Sequence, residues 1–334
     1  MPFRHLLVAL PGIVVVLLAG ADPGEAQWRG NGPFRVPEQN PLYQRFLTPR
    51  PERAELLEPG QIEFAMRSTY SNIFEFVRTT EVAATLDTER STTGMEVVWA
   101  PSARYEVGVR GAIVIDYGGF LDGPVQEFHD IFNLPNGNRD DVENGNVDLS
   151  LVTPGDTVFS LDEGAHLTDP VVWVAVPLLR GRRALAARVS LKLPIGSSNH
   201  STGKTDVGVQ LDGQHVFTNW AVYSGLAVST LNAGSELDRW DKDVALTWHL
   251  GGERRIGEGW GILAQFQGST AFLEGFGDRV LDRAPVNFGV GASGRAGSEW
   301  TWQAVFTEDI RSNSPAVDFT FDIHLSRVIG GGGG

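Results

Sequence analysis

The sequence contains no cysteine in its 334 residues. That absence excludes disulfide scaffolds, thiolate-ligated zinc, iron–sulfur clusters and cysteine nucleophiles. It also excludes a lipid anchor at the end of the leader. Basic residues are scarce: 27 Lys and Arg stand against 41 Asp and Glu, for a net charge of −14. An acidic chain is repelled by phosphate backbones, so nucleic acid is not an expected partner. After the leader no apolar run reaches the roughly 18 residues that a spanning helix needs. The signatures G-x-S-x-G, H-E-x-x-H and G-x-x-x-x-G-K-[ST] are missing too. No catalytic residue, metal ligand or cofactor is therefore assigned, and the chain is read as a non-enzyme.

The leader is MPFRHLLVALPGIVVVLLAGADPGEAQ. Arg4 and His5 give it a basic start, and Leu6 to Ala21 form an apolar run interrupted by Pro11 and Gly12. Gly24 and Ala26 place small residues where a signal peptidase reads, leaving Gln27 as the new N-terminus. Residues 1–26 are thus expected to be a signal peptide, and the mature chain to be exported.

The mature sequence is dominated by alternation. In VDFTFDIHLS, Val317, Phe319, Phe321, Ile323 and Leu325 alternate with Asp318, Thr320, Asp322, His324 and Ser326. A period of two puts the two sets on opposite faces of one strand. Read this way, the chain holds twelve strands near 61–73, 81–100, 103–116, 168–179, 184–194, 204–213, 215–229, 241–250, 258–271, 284–294, 298–309 and 315–328. Many are about ten residues or longer, the length a tilted bilayer-spanning strand requires. Short links (PSA, RGRR, DGQ, GGERRIGEG, GRAGS) alternate with longer polar ones, including an expected long link between the first two strands. Short turns at one end, longer loops at the other and an even strand count describe an all-β, antiparallel, up-and-down transmembrane β-barrel over 61–329. Trp99, Tyr105, Trp248, Trp260 and Trp300 fall beside the short links and are expected to form an aromatic girdle there.

If the apolar set faces lipid, the polar set faces the lumen. The lining candidates are Glu63, Arg67, Glu106, Arg110, Arg188, Lys192, Asp206, Asp212, Asp243, His249, Asp318, Asp322 and His324. Their mixed signs favour internal ion pairs, or a charge pattern that selects a passenger. Residues 27–60 are rich in Pro, Arg and Glu and make no central strand. They are read as a periplasmic extension or as a plug. The glycines at 330–334 make a flexible tail.

The longest link, about 117–167, begins with GGFLDGPVQEFHDIFNLPNG. A short amphipathic helix is expected in this loop, between strands 3 and 4. Leu121, Val125, Phe128 and Phe132 lie on one face beside His129. These five residues are the candidates for a lid over the barrel mouth. A metal site from Asp122, Glu127, His129 and Asp130 is disfavoured, because they fall on different helical sectors. The loop carries ten acidic residues against Arg139 alone. Such a surface is read as solvated, with divalent cations able to bridge it to anionic lipopolysaccharide. In SSNHSTGK, Ser198, His200 and Ser201 lie together on a Gly/Ser-rich loop, read as a solvated hairpin and not as a lipase dyad.

The run GGFLDGPVQEFHDIFNLPNGNRDD, with NPLYQRFLTPRPERAELLEPGQ ahead of the first strand, resembles an uncharacterised family of Gram-negative outer-membrane proteins, a domain of unknown function. LKLPIGSSNHSTGKTDVGVQL is similar to a motif in the barrels of the phenol-degradation meta pathway, which are regarded as hydrophobic-solute channels. The resemblance implies an outer-membrane barrel and no reaction. The implied partners are outer-membrane lipid and lipopolysaccharide, the barrel assembly machinery and a small-molecule solute. Passive passage or binding of small solutes is the expected function. The alternatives are a lipid-modifying enzyme and a structural or surface-interaction barrel.

Overall fold

The computed structural model describes residues 28–80, 82–120, 147–232, 242–276, 281–297, 299–310 and 317–330, with isolated positions at 123, 124, 126, 127, 131, 145, 237 and 240. The expected signal peptide and the glycine tail beyond Gly330 lie outside them. So do the lid residues Leu121, Val125, Phe128, His129 and Phe132; of the helix expected in the long loop, the described positions Gly123, Pro124, Gln126, Glu127 and Ile131 are helical.

The strands, in chain order, are β1 (Ile62–Arg78), β2 (Ala83–Ser102), β3 (Tyr105–Tyr117), β4 (Asp148–Thr153), β5 (Asp156–Leu161), β6 (Gly164–Leu167), β7 (Val171–Leu179), β8 (Arg183–Lys192), β9 (Asp206–Val216), β10 (Trp220–Thr230), β11 (Val244–Gly257), β12 (Trp260–Ser269), β13 (Val286–Ala296), β14 (Trp300–Asp309) and β15 (Phe319–Ile329). Twelve of them close into a ring: β1 to β3, then β7 to β15, each antiparallel to its neighbours. The seam joins β1 to β15 from Ile62↔Ile329 to Asn72↔Phe319. Closure leaves no open edge, which a bilayer requires because unpaired backbone groups have no water there.

The barrel is apolar outside and polar inside. On β15, Phe321, Ile323 and Leu325 are exposed while Thr320, Asp322, His324 and Ser326 are buried. Outward Phe64, Val97, Val109, Val174, Val189, Val209, Ile262 and Phe306 repeat the pattern around the wall. This inversion of a soluble protein fits strands surrounded by lipid. No helix among the described residues is long and apolar enough to cross a membrane. Trp99, Tyr105, Trp260 and Trp300 are exposed near the short turns. Trp248 departs from the expected girdle. The turn after β11 lies at Glu258–Gly259, where Gly259 has φ 82°, so Trp248 sits far up the strand.

Two further features differ from the sequence expectation. The link between β1 and β2 is a tight turn, closed by Thr79 N–H donating to Val82 O at 2.8 Å. The strands run on instead, to 17 and 20 residues, without a break near Ser91–Gly94. Three short strands also occupy the end of the long loop. β4 continues the sheet from the upper edge of β2, β5 pairs with β4, and β6 pairs with β3 directly above β7. Pro170, which lacks an N–H, falls in the gap between β6 and β7. The physical reason for both features is one apolar core. Ile73, Val77, Val82, Ala84 and Leu86 of the β1–β2 tip bury against Leu149, Leu151, Phe159 and Leu161 of β4–β5. Loop residues Leu231, Trp240, Phe272, Phe276 and Leu281 complete it. Leu42, Tyr43 and Phe46 of the N-terminal segment join from below, and Tyr43 stacks on Phe272 with ring centroids 4.4 Å apart. The core caps the loop end of the barrel.

Candidate functional site

Side chains fill the interior of an eight-stranded barrel, and a wider barrel leaves room for something else. Here residues 28–60 run through the lumen. They hold Pro33, Pro37, Pro41, Pro49, Pro51 and Pro59 and make no strand, only a 3-10 turn at Tyr43–Arg45. Their backbone groups still need partners once buried. The wall supplies them from inward positions. Gln265 clamps Phe34 in both directions, accepting from its N–H at 3.0 Å and donating to its C=O at 2.9 Å. Gln303 donates to Pro33 O, Gln214 to Arg29 O and Gln210 to Arg50 O, at 2.8–2.9 Å. Asp206 accepts from Leu47 N–H, Glu253 from Asn31 N–H and Glu106 from Leu57 N–H. Lys192 donates to Arg45 O at 2.6 Å. Glutamine suits this work because its amide both donates and accepts.

An ion-pair network crosses the barrel at mid-height. Arg35 lies 3.1 Å from Glu63, 3.4 Å from Glu96 and 3.5 Å from Glu52. Arg50 pairs with Glu52 at 2.8 Å and with Glu96. Arg53 meets Glu63 at 2.5 Å, and Arg110 meets Glu52 at 3.3 Å. Arg188 reaches Asp212 at 3.1 Å and Glu106 at 3.6 Å. The lumen segment thus brings three arginines to wall carboxylates, and Glu52 to the wall's Arg110.

Of the lining candidates, Glu63, Arg67, Glu106, Arg188, Lys192, Asp206, Asp212, His249, Asp322 and His324 are buried inside, and Arg110 is partly buried beside them. Asp243 is exposed ahead of β11, and Asp318 is half-buried ahead of β15. The alternation simply continues past the strand ends, which is why parity assigned both to the lumen. Tyr223 and Glu253 were not among the candidates, yet they meet at 2.5 Å inside the barrel. Glu253 stood in a stretch that reads as a turn, and Tyr223 in an apolar context. The recurrence of inward glutamine on β9, β12 and β14 was the available signal for a buried, unpaired backbone.

Cavities remain beside the lumen segment. One of about 130 Å³ lies at mid-barrel and includes Arg67, Glu96, Arg110 and His324 in its lining. A second of about 220 Å³ opens toward the short turns, among Arg29, Glu55, Gln214 and Ser326. His324 lines both.

At the loop end, the 3-10 turn Ser198–His200 docks onto the wall. Ser201 Oγ donates to Asp169 at 2.6 Å, and Gly196 N–H donates to the same carboxylate at 2.8 Å. The buried His200 ring lies 3.4 Å from Asp116, which Arg90 holds through two bonds of 2.7 and 2.8 Å. His166 stacks on the ring at 4.5 Å. Burial pushes His200 below its ordinary value; Asp116 opposes the shift, while Arg90 and His166 add to it. A folded-state value below the unfolded one means that His200 supports docking fully above about pH 6.5, and that this support is lost as pH falls toward the folded-state value. Proteolysis within 193–203 is therefore expected to be faster at pH 5 than at pH 7.5, with His200→Gln reducing the difference. Equal rates at the two pH values in the parent protein would refute this account.

No curated protein matches the chain. Among solved structures, an outer-membrane channel from Pseudomonas putida F1, of the COG4313 group, is similar over 84% of this chain and 100% of its own, with 14% identity and a TM-score of 0.54. At that identity the likeness is one of fold. The NanC porin is similar over 79% of this chain and 98% of its own, with 8% identity and a TM-score of 0.44. A family model described as "Protein of unknown function (DUF3187)" matches residues 8–327, nearly the whole chain, and the protein belongs to that family.

Proposed function

We propose that this protein is exported to the outer membrane and serves as a plugged barrel for the passage or binding of small solutes. Residues 28–60 are the plug. The observation that carries the reading is how the plug is held. At mid-barrel its backbone is hydrogen-bonded by wall side chains, and its arginines form ion pairs with wall carboxylates. Polar contacts of this kind can be exchanged for water, while small apolar clusters, Phe34 and Val36 against Leu263 and Val305 and Leu56 and Leu57 against Val98 and Trp173, add to the hold. The two cavities that meet at His324 provide space along the plug. The likeness of fold to the P. putida channel supports the same reading. Lipid and lipopolysaccharide against the outer apolar band, and the barrel assembly machinery, are the partners that this location implies.

The lipid-modifying alternative is not favoured by the loop geometry. The Ser201 hydroxyl is committed to Asp169, while His200 faces Asp116 and Arg90, so these two side chains do not set a base against a nucleophile. The test of the proposal compares the full-length protein with a chain lacking residues 28–60, both reconstituted into planar bilayers. The full-length barrel is expected to pass little current, and the shortened one to hold a steady open state. Equal currents from the two chains would refute the plug.

A further inference from the structure

One buried cation in the lumen is not spent on the plug. Arg67 is 5% exposed, and none of its three guanidinium nitrogens has a hydrogen-bond partner among the described residues. The nearest carboxylate is Asp322, 3.6 Å from Nε, and its Oδ2 already accepts from Thr69 at 2.7 Å. Every other cation lining the mid-barrel cavity is engaged. Arg50 is paired with Glu52 and Glu96, Arg110 with Glu52, and Lys192 with Asp169 and Asp206. His324, the cross-strand partner of Arg67, is 4% exposed, and its Nδ1 likewise has no partner. Both side chains line the 130 Å³ cavity.

A buried guanidinium with unsatisfied donors is strongly disfavoured unless an anion meets it. Its planar fork matches a carboxylate. The rest of the wall narrows the choice. Glu38, Glu96 and Asp169 also line the cavity, which opposes a second negative charge. Phe46, Ala65, Ala112 and Val171 line it as well and offer nothing to a fully hydrated inorganic ion. On the measure by which one water needs about 10–15 Å³, 130 Å³ admits a ligand of several heavy atoms.

We propose that the mid-barrel cavity is a binding site for a small organic monocarboxylate, its charged end held by Arg67 and His324 and its apolar part lying against Phe46, Ala65, Ala112 and Val171. The proposal rests on the reading of the barrel as one that takes small solutes, and it adds the class of solute.

The experiment is calorimetric titration of the folded full-length protein with benzoate as the probe. Benzamide, its neutral isostere, and inorganic phosphate are titrated in parallel. Benzoate is expected to bind saturably, with benzamide weaker by about tenfold or more, the worth of a charge-assisted contact. Phosphate is expected not to compete. Arg67→Gln is expected to weaken benzoate by about tenfold or more while leaving benzamide unchanged, and His324→Gln to weaken benzoate by roughly threefold. Heat-modifiable gel migration checks that each variant is folded. Should Arg67→Gln fail to fold, the benzoate and benzamide comparison on the parent protein decides alone. The proposal is overturned by equal affinity for the two probes, by absence of saturable benzoate binding, by phosphate competing as well as benzoate, or by a folded Arg67→Gln that binds benzoate like the parent. A barrel that conducts on loss of its plug yet ignores benzoate overturns this inference only. Benzoate binding by a barrel that never conducts overturns the proposed passage only.

Discussion

Glu52→Gln is expected to release the plug while leaving the barrel folded. The Glu52 side chain is 3% exposed and sits among Arg50 at 2.8 Å, Arg110 at 3.3 Å and Arg35 at 3.5 Å. Glutamine keeps the shape and removes the charge. Three guanidinium groups are then left with two remaining carboxylates between them, Glu63 and Glu96. Removing one partner from a buried ion pair costs about 3–5 kcal/mol, which shifts plug docking by roughly two to four orders of magnitude. The loss falls on docking because Glu52 belongs to no strand of the closed ladder. Cleavage of residues 28–60 by added protease and bursts of current in bilayers are the readouts, against an unchanged heat-modifiable band. A plug as protected in the variant as in the parent would sink the account. Arg110→Met in the Glu52→Gln background should restore part of the docking, because it removes one cation left unpaired; contacting pairs couple by about 0.5–3 kcal/mol.

The pH dependence of docking follows from the same cluster. Burial opposes ionisation of Glu52, but the guanidinium groups of Arg50, Arg188, Arg35 and Arg110 outweigh it and hold its carboxyl well below the usual carboxylate range. With the folded-state value depressed, the contribution is complete above the unfolded value and is lost only as pH falls through the folded one. The difference in plug protection between the parent protein and Glu52→Gln is therefore expected to be the same at pH 5 as at pH 7. His200 follows the same rule from a higher unfolded value, so the loop end of the barrel loses its support from about pH 6.5 downward.

The wall of this barrel was legible because a period of two writes lipid and lumen onto alternate residues. Phe321, Ile323 and Leu325 against Asp322 and His324 specify one strand and its two environments at once. The plug was not legible in the same way. Nothing between Trp28 and Gly60 is periodic, and its partners are single atoms on six different strands. Residues such as Gln303 and Asp206 read as lumen-facing from alternation alone, but what they face is decided by a segment hundreds of residues away in sequence. The loop end was hidden for a different reason. β4, β5 and β6 are four to six residues long and follow an acidic stretch, so their apolar residues Leu149, Leu151, Phe159 and Leu161 give too short a pattern to separate from a loop. Their role appears only when the β1–β2 tip is placed against them.

Ile323→Lys is expected to destabilise the protein by about 2–4 kcal/mol in lipid vesicles, the depth-dependent effect of a cation at mid-bilayer on a barrel wall. Ile323 is 48% exposed near the middle of β15, with Ser68 and Ala304 as its cross-strand neighbours. The same substitution at a water-facing position of a soluble β-protein falls within about 0.5 kcal/mol. The size of the change therefore reports which solvent surrounds the strand. Reversible denaturant titration in vesicles measures it, with Ile329→Lys as the companion. Ile329 is 37% exposed at the short-turn end of the same strand, where the midplane effect falls to about 0–1 kcal/mol. A lipid wall predicts a steep difference between the two positions, and a water-exposed wall predicts none. Depth along one strand thus becomes the coordinate of the test. The alternation that first distinguished Phe321, Ile323 and Leu325 from their neighbours is read as a gradient of solvent, independent of any current through the lumen.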